Sequence, residues 1–217
     1  MTETFESALQ GRVNEMVDAC TRCGKCVEVC PVTSAAGLTA EERQNPVQVI
    51  GGIIDILRLG AGNEAARQWA SGCILSGDCI KACDYGVNPR FLLHMTRVAM
   101  ARAKDDETTQ RRGGVEGFRK VARDVNHMAR LQLDDELLVR LGQGARRPVS
   151  DGEDTLPDFV FYTGCNVLKT PHIALLALDI MDALGVTYDV MGGPTHCCGV
   201  VQMRTGDVAT SGRLGLS

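Results

Sequence analysis

The sequence is poor in aromatic residues, in positive charge and in nucleotide-binding motifs. Aromatic residues make up only 4% of its 217 residues, so the core must rely on aliphatic side chains and methionine. The formal net charge of −4 argues against nucleic acid as the main partner, because surfaces that bind nucleic acid are usually basic. The absence of a glycine-rich fingerprint fits a chain without a nucleotide-binding domain of its own.

Long apolar segments are also absent. The longest apolar stretch, residues 47–59, is interrupted by Gln48, Asp55 and Arg58, whereas a membrane-spanning helix needs roughly 20 apolar residues. Residues 1–16 carry several charges and no apolar core, so we expect no signal peptide. We therefore predict a cytoplasmic location and no direct membrane span, with any membrane contact made through a partner.

Cysteine, in contrast, is abundant. The chain contains 10 cysteines, and they fall into three groups along the sequence. A cysteine-rich chain without an export signal binds metal more often than it forms disulfide bonds. Each of the three groups is therefore a candidate metal site.

Hydrophobic periodicity predicts a mainly α fold that ends in the start of an α/β domain. Residues 5–19 have apolar side chains at helical spacing, and Pro46 and Pro89 each follow an asparagine and open a further helix. Near the end of the chain, residues 158–163 and 186–191 are typical of strands, and residues 170–184 of a helix between them. This order predicts a right-handed parallel βαβ unit.

These patterns suggest three parts. We predict a helical domain with two metal sites over residues 1–104 and an α/β domain over residues 158–217. Residues 105–157 are polar and broken by Gly113-Gly114, Gly142 and Gly144, so we expect one or two surface helices there that serve as a connector.

The first cysteine group is the strongest motif in the chain and has the spacing Cys20-x2-Cys23-x2-Cys26-x3-Cys30-Pro31. Three thiolates so close together can hold three iron corners of one cubane, and the fourth typically binds the other cluster of a two-cluster protein. The alternative metal is zinc, which also accepts four cysteines. Zinc sites usually pair two separated C-x2-C units, so the serial spacing favours an iron–sulfur cluster.

The second cysteine group, Cys73-x5-Cys79-x3-Cys83, repeats the first with one cysteine missing. Ser76 stands where the first group has Cys23, and Asp84 where it has Pro31. If ligands are exchanged between the groups, one [4Fe-4S] cluster is bound by four cysteines: Cys20, Cys23, Cys26 and Cys83. The second cluster is left with Cys30, Cys73 and Cys79. Three thiolates fit a [3Fe-4S] cluster, or a [4Fe-4S] cluster whose fourth iron binds Ser76, Asp78 or water.

The paired motifs resemble the helical ferredoxin domain of succinate dehydrogenase and fumarate reductase iron–sulfur subunits. That domain also occurs in the C-type subunit of heterodisulfide reductase and in the iron–sulfur subunits of anaerobic glycerol-3-phosphate dehydrogenase and glycolate oxidase. In the succinate dehydrogenase family the incomplete second motif goes with a three-iron cluster. The resemblance implies an electron-transfer subunit whose partners are a flavoprotein or other heterodisulfide reductase-like subunits.

The third cysteine group lies at the predicted βαβ unit. Cys165 follows the first strand, and Cys197 and Cys198 follow the second. Because parallel strands place their carboxyl ends at one edge of a sheet, we expect these three thiols to converge. Beside them, His196 is a further ligand or proton donor, or only a turn residue.

The pattern Cys165-x31-Cys197-Cys198-Gly199 resembles the first half of the CCG domain found in the B-type subunit of heterodisulfide reductase. In that family a C-x2-C pair completes the domain, which binds a noncubane iron–sulfur cluster. No such pair is present here, so we expect a fragment of a longer protein or a partner that supplies the rest. The resemblance implies a partial third site at the three cysteines.

Three redox functions are compatible with this sequence, and a zinc-binding interaction module is the alternative outside redox chemistry. The first is an electron-transfer subunit of a heterodisulfide reductase-like oxidoreductase. The second is catalytic thiol and disulfide redox chemistry at a CCG-domain cluster, as in sulfur metabolism. The third is the iron–sulfur subunit of a flavin-dependent hydroxy-acid or glycerol-3-phosphate dehydrogenase. For the chain itself we favour electron transfer over catalysis on a substrate.

Overall fold

The structure is a computed structural model that describes residues 4–142 and 156–215. The chain forms two compact units. The first comprises Met1–Arg112 with Met203–Ala209, and the second comprises Gly113–Gln202 with Thr210–Ser217. Helices dominate and the described residues contain one small parallel sheet, so the predicted mainly α fold is confirmed.

The first unit is built from helices around one core. Its helices are α1 (Phe5–Ala19), α2 (Lys25–Glu28), α3 (Ala40–Gln44), α4 (Pro46–Leu59), α5 (Glu64–Gly72), α6 (Asp78–Lys81) and α7 (Pro89–Lys104). The predicted start signals are confirmed: Pro46 and Pro89 are the first residues of α4 and α7, and the Asn88 side chain caps α7.

Helices α4, α5 and α7 supply the centre of this core. Trp69 of α5 is fully buried among apolar side chains that are mostly aliphatic, including Ile53 and Ile54 of α4 and Leu92 of α7. The same cluster contains Cys26 and Cys79, both buried. The cysteine loops therefore lie directly on the aliphatic core, where burial of apolar area stabilises the fold.

Two adjacent glycines of α4 provide a matched test of this packing. A β-carbon at Gly51 would have no atom within 4 Å, whereas one at Gly52 would lie 2.5 Å from Asn63 Nδ2 and 2.8 Å from the Ala66 β-carbon. Asn63 caps α5, since its Oδ1 accepts a hydrogen bond from the Ala66 amide. An alanine at position 52 would therefore push against a helix cap.

We expect Gly51→Ala and Gly52→Ala to shift the melting temperature in opposite directions. Alanine is favoured over glycine in a helix by about 1 kcal/mol, which should raise the melting temperature by about 2–4 °C at position 51. At position 52, overpacking by about 1–3 kcal/mol should outweigh that gain and lower the melting temperature. Thermal unfolding followed by circular dichroism measures both; a shift of the same sign in the two variants would contradict the described packing.

The second unit joins helices to a two-stranded sheet. Its elements are most of α8 (Glu107–Gln132), then α9 (Asp135–Arg140), β1 (Phe159–Tyr162), α10 (Pro171–Leu184) and β2 (Tyr188–Met191), with parts of α11 (Val200–Arg204) and α12 (Val208–Gly215). Strands β1 and β2 are parallel, with Phe159 opposite Tyr188 and Tyr162 opposite Met191. The predicted strand, helix and parallel strand are confirmed.

The predicted break at Gly113-Gly114 is wrong. Helix α8 runs without interruption from Glu107 to Gln132, because its hydrophobic side chains continue at helical spacing beyond the two glycines. Val125 and Ala129 of α8 are buried with Leu138 of α9 in the core of the second unit. Gly142 has a positive φ of 73° and follows α9, whereas Gly144 lies outside the described residues.

The first compact unit ends at residue 112, within α8, and the second begins at residue 113. The domain boundaries predicted at residues 104 and 157 remain predictions. The described part of residues 105–157 contains two helices, and their inner faces contribute to a core. Within the described residues, no helix is both long enough and apolar enough to cross a membrane.

Candidate metal centres

The two N-terminal cysteine loops have the same backbone conformation. Arg22 and Leu75 occupy equivalent positions and have positive φ values of 59° and 66°. Gly24 and Gly77 both have φ of 85°, and each begins a four-residue helix, α2 in one loop and α6 in the other. The second loop therefore keeps the backbone of the first although one of its cysteines is missing.

The substituted position is Ser76. It precedes Gly77 as Cys23 precedes Gly24, and both side chains are exposed. The hydrogen bonds that follow are also equivalent: the amide three residues beyond each loop glycine donates to the carbonyl oxygen of that glycine, at 2.8 Å in the first loop and 3.0 Å in the second. Ser76 thus occupies the position in the second loop that Cys23 occupies in the first, with a hydroxyl in place of the thiol.

Four cysteines line one cavity of the first unit. They are Cys20, Cys23 and Cys26 of the first loop together with Cys83 of the second. Much of the remaining wall is apolar, with Ile50, Val87 and Leu92 among its residues, and Thr21 and Lys25 also line the cavity. Thiolate is the ligand that iron–sulfur clusters require, so four thiols in an apolar cavity fit such a group.

Burial favours the protonated form of two of these thiols, Cys26 and Cys20. It raises the pKa of Cys26 to about 12, with further contributions from the charges of Cys20, Cys79 and Cys23. Burial also raises the pKa of Cys20, and the charges of Cys23 and Cys83 add to this effect. Since thiolates rather than thiols bind metal, loading of this cavity would release protons.

The other three N-terminal cysteines form a second group. Burial raises the pKa of the Cys79 thiol, and the nearby charges of Cys73 and Cys30 raise it further. The carbonyl oxygen of Cys73 accepts a hydrogen bond of 3.2 Å from Arg97 Nη2 of α7. Cys30 of the first loop therefore lies near two cysteines of the second loop. In the same way, Cys83 of the second loop lies near three cysteines of the first.

The two groups are neighbours. Cys26 of the first group and Cys79 of the second are each about 7% exposed, and the charge of Cys79 contributes to the raised pKa of Cys26. Helices α2 and α6, which carry these cysteines, contact each other. Within residues 4–142 and 156–215, no three His, Cys, Asp or Glu side chains converge on a single metal ion. A cubane cluster does not need several side chains to converge on one ion, because each of its irons binds a different thiolate.

An ion pair between the two cysteine loops was not apparent from the sequence. Lys25, between Cys23 and Cys26, pairs with Asp84, the residue after Cys83. This hydrogen bond and the charge of Asp84 raise the pKa of Lys25, which is exposed to solvent. Where the first loop has a proline, the second loop thus has an acid that pairs with a lysine of the first loop.

The third cysteine group lies in the second unit. Cys165 follows β1, and Cys197 and Cys198 follow β2, as expected for one edge of a parallel sheet. Burial raises the pKa of the Cys165 thiol, and the charges of Cys197 and Cys198 raise it further, so the three thiols lie close to one another. The backbone amide of Gly199 donates a hydrogen bond of 3.4 Å to Cys197 Sγ.

Tyr162 is a residue of this site that the sequence patterns did not indicate. Its hydroxyl donates a 2.7 Å hydrogen bond to the carbonyl oxygen of His196. Burial raises the pKa of Tyr162, and the charges of Cys198 and Cys165 add to this effect. Its position at the end of β1, three residues before Cys165, is the signal that could have pointed to it.

The glycine of the Cys197-Cys198-Gly199 motif has a steric role. Gly199 has φ of 75°, and a β-carbon there would lie 2.6 Å from the carbonyl oxygen of Ser211. Any other residue would be strained by its conformation and by this contact. His196 Nδ1 lies 3.4 Å from the backbone nitrogen of Gly192, so its ring folds back on its own turn.

Residues 15–87, which contain both N-terminal cysteine groups, match the family described as 4Fe-4S dicluster domain. The chain is an iron–sulfur protein similar to the D subunit of heterodisulfide reductase. It is 25% identical over 220 residues to the D subunit of dihydromethanophenazine:CoB–CoM heterodisulfide reductase from Methanosarcina mazei, and 26% identical over 209 residues to that from Methanosarcina acetivorans.

These matches cover 88% of this chain and 48% of each relative. The chain thus spans about half the length of the curated relatives it matches. No solved structure matches it. The predicted resemblance to heterodisulfide reductase is confirmed, and the family match supports the predicted iron–sulfur clusters.

Proposed function

We propose that this chain is an iron–sulfur electron-transfer subunit of a heterodisulfide reductase-like oxidoreductase. The observation that carries the proposal is the adjacency of two thiol groups, each assembled from both cysteine loops. Cys26 of one group and Cys79 of the other are both buried, and the charge of Cys79 acts on Cys26. Two adjacent redox centres on a rigid helical support are what one-electron transfer through a protein requires.

The first cluster would be held by Cys20, Cys23, Cys26 and Cys83 as a [4Fe-4S] cluster. The second would be held by Cys30, Cys73 and Cys79, as a [3Fe-4S] cluster or as a [4Fe-4S] cluster with Ser76 or another oxygen ligand. When bound, the clusters would supply one-electron chemistry. The chain's own residues orient the thiolates, as Arg97 does through the Cys73 carbonyl oxygen, and keep water away from them.

The proposed partners are the other subunits of a redox complex, either a flavoprotein or heterodisulfide reductase-like subunits. The relatives' names support this assignment, since each is a subunit of a heterodisulfide reductase. A mediated redox titration of the anaerobically purified chain tests the proposal. We expect two separate one-electron transitions; a protein that takes up no electrons despite bound iron and sulfide would contradict it.

The pair Lys25–Asp84 should set the reduction potential of the first cluster. Reduction adds negative charge, so Lys25→Met should lower this potential and Asp84→Asn, which leaves the lysine without its acid, should raise it. The expected shifts are on the order of tens of millivolts at low ionic strength. Arg12→Met breaks an exposed pair with Glu15 on α1 and serves as the control. Equal potentials in all three variants would contradict an influence of the pair.

A second candidate function is thiol and disulfide redox chemistry at the third cysteine group. The observation in its favour is the convergence of Cys165, Cys197 and Cys198 beside Tyr162. On this proposal the three thiols bind part of a noncubane cluster that reacts with a thiol substrate. Iron content should then fall in a Cys197→Ser, Cys198→Ser double variant, and an EPR signal should appear when a thiol is added to the parent protein. Unchanged iron content in the double variant would contradict this candidate.

A further inference from the structure

The two cysteine loops differ in what they present to solvent. At equivalent positions the first loop carries Thr21 and Arg22, whereas the second carries Ile74 and Leu75. Arg22 faces Asp55 at 3.6 Å. Ile74 and Leu75 are 65% and 48% exposed, although they are large and apolar. Because the backbones are the same, this difference lies in the side chains and not in the loop geometry.

Three basic side chains lie beside the second loop, which also carries the acidic Asp78. Arg97 donates a hydrogen bond to the carbonyl oxygen of Cys73, the residue before Ile74. Arg90 approaches within 3.9 Å of the place where a β-carbon of Gly77 would lie. Lys81 ends α6 and is exposed. Within the described residues none of these three basic side chains forms an ion pair, whereas Lys25 and Arg22 beside the first group both do.

We propose that the Ile74–Leu75 surface of the second loop, with its basic surroundings, is the docking site for a small acidic electron-carrier protein. An apolar centre with a charged rim is the usual composition of a protein interface, and the basic rim selects a partner of opposite charge. The surface lies on the loop that carries Cys73 and Cys79, so a docked carrier would lie beside a cluster held by these cysteines. This inference rests on the proposed function, since it requires a bound cluster.

The electron exchange at this surface needs no bond formation. With a flavodoxin as the probe, the flavin hydroquinone anion gives up one electron and becomes the neutral semiquinone. A cluster held by Cys30, Cys73 and Cys79 would take up that electron in its oxidised state, and no proton would move. Appearance of the semiquinone, followed by stopped-flow absorbance, therefore reports the transfer directly.

The first loop indicates which substitutions the second loop will tolerate. Threonine occupies the position equivalent to Ile74, and a long polar residue has the positive φ equivalent to that of Leu75. Ile74→Thr with Leu75→Gln should therefore keep the loop and its cluster while it removes the apolar surface without changing the charge. Leu59→Gln is the matched control, because Leu59 is also exposed and apolar but belongs to neither cysteine loop.

We expect the double variant to react with flavodoxin hydroquinone at least tenfold more slowly than the parent, with unchanged cluster EPR signals and unchanged reduction by dithionite. Ile74→Thr alone should slow it about threefold, and Leu59→Gln should leave the rate unchanged. The parent rate should fall as salt is added, and Lys81→Gln with Arg90→Gln should flatten that dependence.

The inference is overturned if a variant with intact cluster signals, the double or the single one, reacts as fast as the parent. It is also overturned if the parent accepts electrons from dithionite but not from flavodoxin, or if its rate does not depend on salt. A parent protein whose clusters dithionite cannot reduce would instead contradict the proposed function itself.

Discussion

Cys83→Ala is expected to remove the first cluster and to leave the second in place. Cys83 belongs to the second loop in sequence, yet it lines the cavity formed by Cys20, Cys23 and Cys26. Loss of a thiolate from the four-cysteine site should therefore abolish the EPR signal of the reduced [4Fe-4S] cluster. The signal of the second site should remain.

Cys30→Ala is the reciprocal variant. Cys30 belongs to the first loop, but the structure places it near Cys79 with Cys73. We expect this variant to lose the second cluster and to keep the first. If each loop instead bound its own cluster, the two phenotypes would be exchanged, because Cys83→Ala would remove the second signal and Cys30→Ala the first.

Ser76→Cys should give the second site its fourth thiolate. The backbone at Ser76 matches that at Cys23, with equivalent neighbours Gly77 and Gly24 at φ of 85°. A cysteine side chain at this position can bind the fourth iron of the second cluster. With only three cysteines, that iron has no thiolate ligand and is easily lost. If the parent holds a three-iron cluster there, we expect iron content to rise by about one per chain and the oxidised three-iron EPR signal to disappear.

Ser76→Ala is the control for this conversion. If Ser76 is not a ligand, the alanine variant should keep the iron content and EPR spectrum of the parent. If the serine oxygen binds the fourth iron, alanine should instead produce a three-iron signal. A Ser76→Cys variant that still shows the three-iron signal would contradict the equivalence of the two loops.

Local sequence patterns predicted both strands and four of the longer helices, α1, α4, α7 and α10. The cap at Asn88 and the prolines at 46 and 89 act within one turn, so they can be recognised without tertiary information. The parallel strands followed from the order of elements, since a strand, a helix and a strand in so few residues leave few alternatives.

Packing between residues distant in sequence explains why the helix break predicted at Gly113-Gly114 is wrong. Gly113 and Gly114 favour a break by intrinsic propensity, but the apolar face of α8 continues beyond them to Val125, which is fully buried. Burial of such side chains outweighs the cost of about 1 kcal/mol for each glycine in a helix.

In the candidate sites too, features set by neighbouring residues could be predicted from the sequence, whereas contacts between distant residues could not. The spacing of the cysteines indicated the metal chemistry, because ligands of one loop are close in sequence. The pairing of Lys25 with Asp84 and the position of Tyr162 beside Cys198 join residues that are far apart along the chain. No pattern in one sequence reports such contacts.

Anaerobic EPR with iron and acid-labile sulfide analysis, before and after dithionite, tests the central claim most directly. The two-cluster account predicts a brown protein with about seven or eight irons per chain in its first two sites, and a [4Fe-4S] signal that appears on reduction. It further predicts that the second site contributes either an oxidised three-iron signal that disappears on reduction or a second reduced [4Fe-4S] signal. A colourless, zinc-loaded and EPR-silent protein from anaerobically handled cells would contradict it.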